Sequence, residues 1–255
     1  MFIEERHKDI IERVNKNGRI LVQEIQEVYG VSADCARRDL RYLESKGLVK
    51  RTYGGAIMTQ PSGIYPETTY NPKDILEIKE EYYAVAQAAV KHIKAHEVVY
   101  LTTSSVGYYM AMCIPEDLEV TVLTNSISIA EVLRKKENVA VILLGGEMSH
   151  RGHCHDFYTI QMVKNIKIDK AFMSHTGLNL EHGAMIHSSE GVAFGQAVME
   201  NSSINIGVYP AEKIGKHSIH SVCEIKAYDL IITDKMVPEE FKIQLQERKI
   251  DLEIV

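Results

Sequence analysis

Apolar positions in the first sixty residues recur at helical spacing three times before the pattern changes. Ile10, Ile11 and Val14 line one side of residues 4–15, and Gly18 stands beyond that segment's end. Leu21, Ile25 and Val28 give a second, shorter helix within residues 19–29. Gly30-Val31-Ser32 follows as a turn, because Gly takes left-handed backbone cheaply and a Ser hydroxyl caps the next helix. Ala36, Leu40 and Leu43 form the inner stripe of a third helix, which Gly47 stops from the C′ position. Residues 48–53, then Gly54-Gly55, then 56–58 read as a small β-hairpin. Three short helices and a hairpin predict a winged helix-turn-helix over residues 1–58.

The pattern then loosens and changes period. Residues 59–74 hold three of the chain's six prolines and read as a linker. Residues 75–95 predict a long amphipathic helix burying Ile78, Tyr82, Val85, Ala86, Ala89, Val90 and Ile93. From Glu97 onward, short apolar runs at 98–101, 118–123, 139–144, 170–173, 204–208, 230–233 and 252–255 act as strands. Helical stretches running to Cys113 and over 127–136, 156–165 and 192–200 separate several of them. Such alternation predicts an α/β domain over 75–255, with a mostly parallel sheet and helices on both faces.

Composition narrows the class only slightly. The 255 residues are 45% apolar and 25% charged, as in ordinary globular proteins. No apolar run reaches the roughly 18 residues of a membrane span, and the N-terminus is charged from Glu4 without an apolar leader core. Cysteines at 35, 113, 154 and 223 form no paired spacing, so a reducing cytoplasm is expected. The net charge of −6 is unevenly spread. Residues 1–60 hold 11 Lys and Arg against 9 Asp and Glu, while the remainder holds 18 against 26. Arg37, Arg38, Arg41, Lys46, Lys50 and Arg51 all fall within fifteen residues.

That cluster selects the chemistry of the small unit. A short basic helix anchored by its neighbours suits a major groove of double-stranded DNA. The expected contact set is Ser32, Asp34, Cys35, Arg37, Arg38 and Arg41 from the helix, with Lys50, Arg51 and Tyr53 from the wing. Arg37 or Arg38 can address guanine O6 and N7, while Lys50 and Arg51 hold phosphates.

In the large unit, ligands are expected outside the carboxyl ends of the strands. The loops there offer Thr102, Thr103, Ser104 and Ser105, then Asn125 and Ser126, then Gly145, Gly146, Glu147 and Arg151. Further along come His175 and Gly177, Glu190, and finally Lys213. Small hydroxyl and Gly residues opening helices suit an anion, with Arg151 and Lys213 as countercharge. His150, His153, Cys154 and His155 invite a metal reading, as do His175, His182 and His187. Ordinary pocket or surface histidines are the preferred explanation, and neither metal nor cofactor is assigned.

Residues 37–56, Arg-Arg-Asp-Leu-Arg-Tyr-Leu-Glu-Ser-Lys-Gly-Leu-Val-Lys-Arg-Thr-Tyr-Gly-Gly-Ala, resemble the signature of DeoR-type transcriptional regulators. Cys35 and Ala36 stand where that pattern usually has Thr and a larger aliphatic residue. The Leu-Thr-Asn125, Leu-Gly-Gly-Glu147, Asp169-Lys-Ala-Phe, Lys213-x-Gly and Ile-Ile-Thr-Asp234 steps follow the order of DeoR-type effector domains. The resemblance implies a ribose-phosphate isomerase-like effector domain that senses a phosphorylated sugar, and a repressor acting on operator DNA. Since one head contacts only a half-site, a homodimer or homotetramer is expected. Three positions depart from the pattern. Thr102-Thr-Ser-Ser-Val replaces Asp-x-Gly-Thr-Thr, Pro210 replaces an Asp, and Gly195 or a neighbour replaces a Lys. A pocket so altered leaves open a non-phosphorylated ligand, a metal or a protein partner. An isomerase would need a carboxylate base, for which only Glu147 and Glu190 come into question.

Overall fold

The computed structural model describes residues 3–17, 19–45, 48–58 and 79–255. The expectations placed on Gly18, Lys46, Gly47, the 59–74 linker, Ile75 and Ile78 lie outside the described residues. The chain divides into two compact units, Met1–Pro66 and Glu67–Val255.

The small unit runs α1 (Ile3–Asn17), β1 (Arg19–Leu21), α2 (Val22–Tyr29), α3 (Ala33–Ser45), β2 (Val49–Thr52) and β3 (Gly55–Met58). Its strands form an antiparallel sheet in the order β1-β3-β2. Strand β1 has no counterpart in the apolar pattern, which assigned its residues to a helix. Leu21 and Val28 are exposed, and α2 meets the core through buried Ile25, with Val22 and Tyr29 partly buried against it. Gly30 takes φ +63° at the end of α2. Ser32 Oγ accepts from the Cys35 N–H at 3.2 Å, capping α3 as its sequence predicts. Gly55 is required by close approach: a Cβ there would lie 2.0 Å from the Ile20 carbonyl oxygen. Ile10, Val14, Ile25, Ala36, Leu40, Leu43 and Val49 make one small core. Each fully buried Leu or Ile contributes about 1.5–3 kcal/mol, so a core this small has little margin.

The large unit runs α4 (Glu80–Val90), β4 (Val98–Leu101), α5 (Ser105–Cys113), β5 (Val120–Thr124), α6 (Ile127–Leu133) and β6 (Val139–Leu143). It continues with α7 (Phe157–Lys164), β7 (Ile168–Met173), β8 (Gly177–Asn179), β9 (Gly183–Ile186), α8 (Ser189–Glu200) and β10 (Ser202–Val208). The last elements are β11 (His220–Cys223), β12 (Leu230–Thr233), α9 (Glu239–Glu247) and β13 (Asp251–Ile254). Seven strands form a sheet in the order β13-β12-β10-β7-β4-β5-β6, and every pairing in it is parallel.

Period-two alternation sorts the sheet's side chains into two cores. Val99 and Leu101 pack with α4, α5 and α6 on one face. Tyr100 packs with α7, α8 and α9 on the other. Helix α4 is shorter at its C-terminal end than the apolar pattern suggests, stopping at Val90. The chain then turns through Lys91 and His92 and reaches left-handed backbone at His96 (φ +66°) before entering β4. The antiparallel sheet β11-β9-β8 and helix α9 were not expected from the alternation. Both are short; β8 and β9 interrupt the crossover from β7 to α8, and β11 joins them from the segment between β10 and β12. No helix among the described residues is long and apolar enough to cross a membrane.

Candidate functional site

Helix α3 presents its chemistry on its outer side. Arg37, Arg38 and Arg41 are exposed, whereas Ala36, Asp39, Leu40 and Leu43 are buried. An acidic residue in the middle of a basic helix would cancel its field, but Asp39 points inward. Arg6 of α1 meets its carboxylate with two hydrogen bonds, Nε to Oδ2 at 2.7 Å and Nη2 to Oδ1 at 3.1 Å. His7 Nε2 lies 3.0 Å from Oδ1. Burial alone would raise the Asp39 pKa, but the hydrogen bonds from Arg6 and His7 outweigh it and hold the carboxyl below its usual range.

Of the predicted DNA contacts, Arg38 and Lys50 are exposed and carry no ion pair among the described residues. Tyr53 projects fully from the wing. Arg37 leans toward Asp34 at 3.5 Å. Arg51 is already engaged: Glu44 Oε2 accepts from its Nε at 2.9 Å, and Oε1 accepts from its backbone N–H at 2.9 Å. Its first role is to fasten the wing to the end of α3. Ser32 is spent on the cap, and Cys35 faces Arg6, whose Nη2 lies 3.7 Å from Sγ.

The large unit's crevice follows from strand order. From β4 the chain builds toward β5 and β6, then returns to place β7 on the other side of β4 and continues toward β10 and β12. The loops after β4 and β7 therefore diverge, which opens a switch point between them. Ser174 is where the loops meet. Thr102 Oγ1 donates to its carbonyl at 3.1 Å, and Lys213 Nζ donates to its hydroxyl at 3.1 Å. Lys213 comes from the short turn Ala211–Lys213 after β10. Its ammonium also lies 5.9 Å from the Tyr82 ring and makes no ion pair among the described residues. Burial pushes its pKa down to about 8, the condition of a cation short of countercharge.

His175 lies beside Ser174, buried, with Nδ1 at 2.7 Å from Tyr209 Oη and 3.4 Å from Tyr228 Oη. Burial, with the Lys213 charge adding to it, pushes its pKa down to about 3. The imidazole is thus neutral at ordinary pH and forms part of a closed aromatic network. Thr103 and Ser104 are half-buried and Ser105 is exposed. Ser104 Oγ caps α5 by accepting from the Gly107 N–H at 3.1 Å.

Other predicted residues perform structural tasks. Asn125 accepts from Tyr100 Oη at 2.9 Å and donates to the Cys154 carbonyl at 2.5 Å. Ser126 caps α6. The Gly145-Gly146 turn wraps the N-terminus of α7. Thr159 Oγ1 donates to the Gly145 carbonyl at 3.0 Å, and a Cβ on Gly146 would lie 2.5 Å from Asp156 Oδ1. Exposed Glu147 gives its backbone N–H to the Asp156 carboxylate. A Cβ on Gly177 would lie 2.3 Å from the Lys216 carbonyl oxygen. Glu190 is exposed in the first turn of α8. Arg151 Nε is buried without a hydrogen-bond partner among the described residues. There, too, no three His, Cys, Asp or Glu residues are placed to hold a metal.

Sequence reasoning missed Arg6, His7, Asp39 and Glu44 in the small unit, and Tyr209 and Tyr228 in the large one. Asp39 left a usable signal, since it falls on the apolar stripe between Ala36 and Leu43. The tyrosines left none, because their meeting depends on strand order.

The comparisons agree with this division. The sequence matches the DeoR-like helix-turn-helix domain over residues 6–62 and the DeoR C terminal sensor domain over residues 78–235. It is 30% identical to the HTH-type transcriptional repressor GlcR of Bacillus subtilis, over 99% of this chain and 96% of that protein. It is 26% identical to the putative aga operon transcriptional repressor of Escherichia coli O157:H7, over 98% of this chain and 93% of the other. The glycerol-3-phosphate regulon repressor of Escherichia coli K12 is 24% identical, over 98% of both.

Proposed function

This chain belongs to the DeoR family of transcriptional regulators, and on that footing we propose that it represses a carbohydrate-metabolism operon under the control of a small phosphorylated metabolite. As a family member it regulates transcription and is not an enzyme. The observation that carries the DNA reading is the sorting of charge on α3, with three arginines outward and its central carboxylate neutralised inside. In this reading α3 enters the major groove, where Arg38 addresses a guanine edge and Arg37 and Arg41 flank it. Lys50 and the Tyr53 hydroxyl hold the sugar-phosphate backbone and set register. One such head covers a half-site, so a cytoplasmic homodimer or homotetramer on a repeated operator is proposed.

Lys213 supports a phosphorylated effector. A partly buried ammonium bonded to a hydroxyl, with no ion pair among the described residues, favours an arriving anion, and Ser174 and Thr103 can add hydrogen bonds. Control requires that the effector bind the DNA-competent and DNA-incompetent states with different affinity.

Selection of duplexes from a random pool by the full chain tests both halves. The expected result is an enriched motif of two half-sites whose affinity changes on adding a sugar phosphate, but not the free sugar. Failure to enrich any sequence overturns the DNA reading. An affinity that ignores every phosphorylated sugar overturns the effector reading.

A further inference from the structure

We propose that Arg6, His7 and Asp39 form a polar latch that sets the rotation of α3 about its own axis, and so determines which arginines read bases. The proposal rests on the DNA-reading role of α3 and adds three positioning residues to it.

The apolar stripe alone fixes that rotation weakly. Ala36 contributes only a methyl group, and the buried contacts of Leu40 and Leu43 are non-directional. At about 100° per residue, Arg37 and Arg41 lie about 40° apart around the helix and Arg38 and Arg41 about 60°, so a roll of that size exchanges which of them faces the groove. A guanidinium–carboxylate fork is directional in a way that methyl contacts are not. Arg6 and Asp39 are 7% and 5% exposed. Their two bonds, at 2.7 and 3.1 Å, tie the middle of α3 to the first turns of α1. Arg6 also reaches Cys35, one turn earlier on the same face, so it grips α3 at two levels. His7 closes the assembly from the rim: its ring nitrogen meets Asp39 at 3.0 Å, and its ring stacks on Tyr42 at 4.9 Å and 21°. Tyr42 is half-exposed immediately after Arg41, which carries the latch to the edge of the reading face.

Buried ion pairs add little net stability, and apolar replacements of similar volume are often tolerated, so the latch is expected to act on orientation and not on stability. This separates positioning from mere structure. The full chain, its R6M/D39L double variant, and the single variants R6K and H7A are measured against two duplexes. One is enriched from a random pool by the wild type, and the other is a scrambled sequence of equal length. The readouts are the ratio of the two affinities and the melting temperature.

For R6M/D39L the expected result is a melting temperature near wild type and unchanged affinity for the scrambled duplex, with discrimination reduced tenfold or more. R6K, which keeps charge but loses the fork, and H7A should each lose about threefold. If the double variant fails to fold, R6K and H7A decide. Wild-type discrimination in folded R6M/D39L, or in both single variants, overturns the latch while leaving the DNA reading standing. A wild-type chain with no preference between the two duplexes refutes the DNA reading, and the latch with it.

Discussion

The two units handle charge in opposite ways. In the small unit, charged side chains are kept charged and paired: Arg6 with Asp39, Arg51 with Glu44, Arg13 with Asp9. Arg38 and Lys50 carry no ion pair among the described residues. In the large unit, polar groups at the crevice are driven toward neutrality by burial. His175 is held uncharged, and Lys213 is brought close to losing its proton at neutral pH. In the proposed function, a polyanion with a regular surface is met by fixed, solvated cations, and a small anion by a cation whose desolvation sharpens the response to it.

Several substitutions break or sharpen this contrast. The largest effect is expected from Leu40→Ala, which removes a fully buried side chain from the smaller core and costs about 2–5 kcal/mol. Hydrogen exchange should show lost protection confined to the small unit, and a matching loss in the sensor sheet would deny the two units their separate cores. Next comes Arg38→Ala. It should weaken selected-duplex binding by about 1–3 kcal/mol and relax base preference at one position, whereas Lys50→Ala weakens all sequences alike and flattens the salt dependence. In the large unit, Lys213→Met should weaken phosphorylated-effector binding by about 1.5–3 kcal/mol, as measured by calorimetry, without altering affinity for DNA in the absence of effector. Because only the ammonium attracts the anion, wild-type affinity should fall about tenfold per pH unit above about 8.

The fourth effect concerns stability. A His whose folded pKa is depressed takes up its proton more readily when unfolded. The large unit should therefore lose stability as pH falls from about 6.5 toward about 3, at about 1.4 kcal/mol per unit. His175→Phe should flatten that limb in denaturant titrations. The smallest effect is Glu44→Gln, about 0.2–1 kcal/mol in stability as for other exposed pairs. It should also free Arg51 and steepen the salt dependence of DNA binding.

The legible part of this protein was the part whose neighbours in space are neighbours in sequence. Ser32 capping Cys35, the stripe Ala36–Leu40–Leu43 and the left-handed Gly30 all act within a few residues, so period and cap chemistry were enough to place them. Strand β1 escaped because three residues carry no period, and its reason for being extended is a ladder with β3, formed by residues 55–57. The same distinction divides the candidate sites. The basic face of α3 could be read from spacing, but the partner that turns Asp39 inward comes from 33 residues away.

The crevice goes further in that direction. Loop composition indicated hydroxyls and glycines after each strand, yet only the order β10-β7-β4-β5 decides that Thr102, Ser174 and Lys213 touch while Gly145, Glu147 and Asn125 bond elsewhere. Local hydrogen bonding and side-chain periodicity are written in the order of residues. Which loops converge, which carboxylates are matched and which cation is left wanting an anion depend on long-range packing, and there the tertiary structure alone decided.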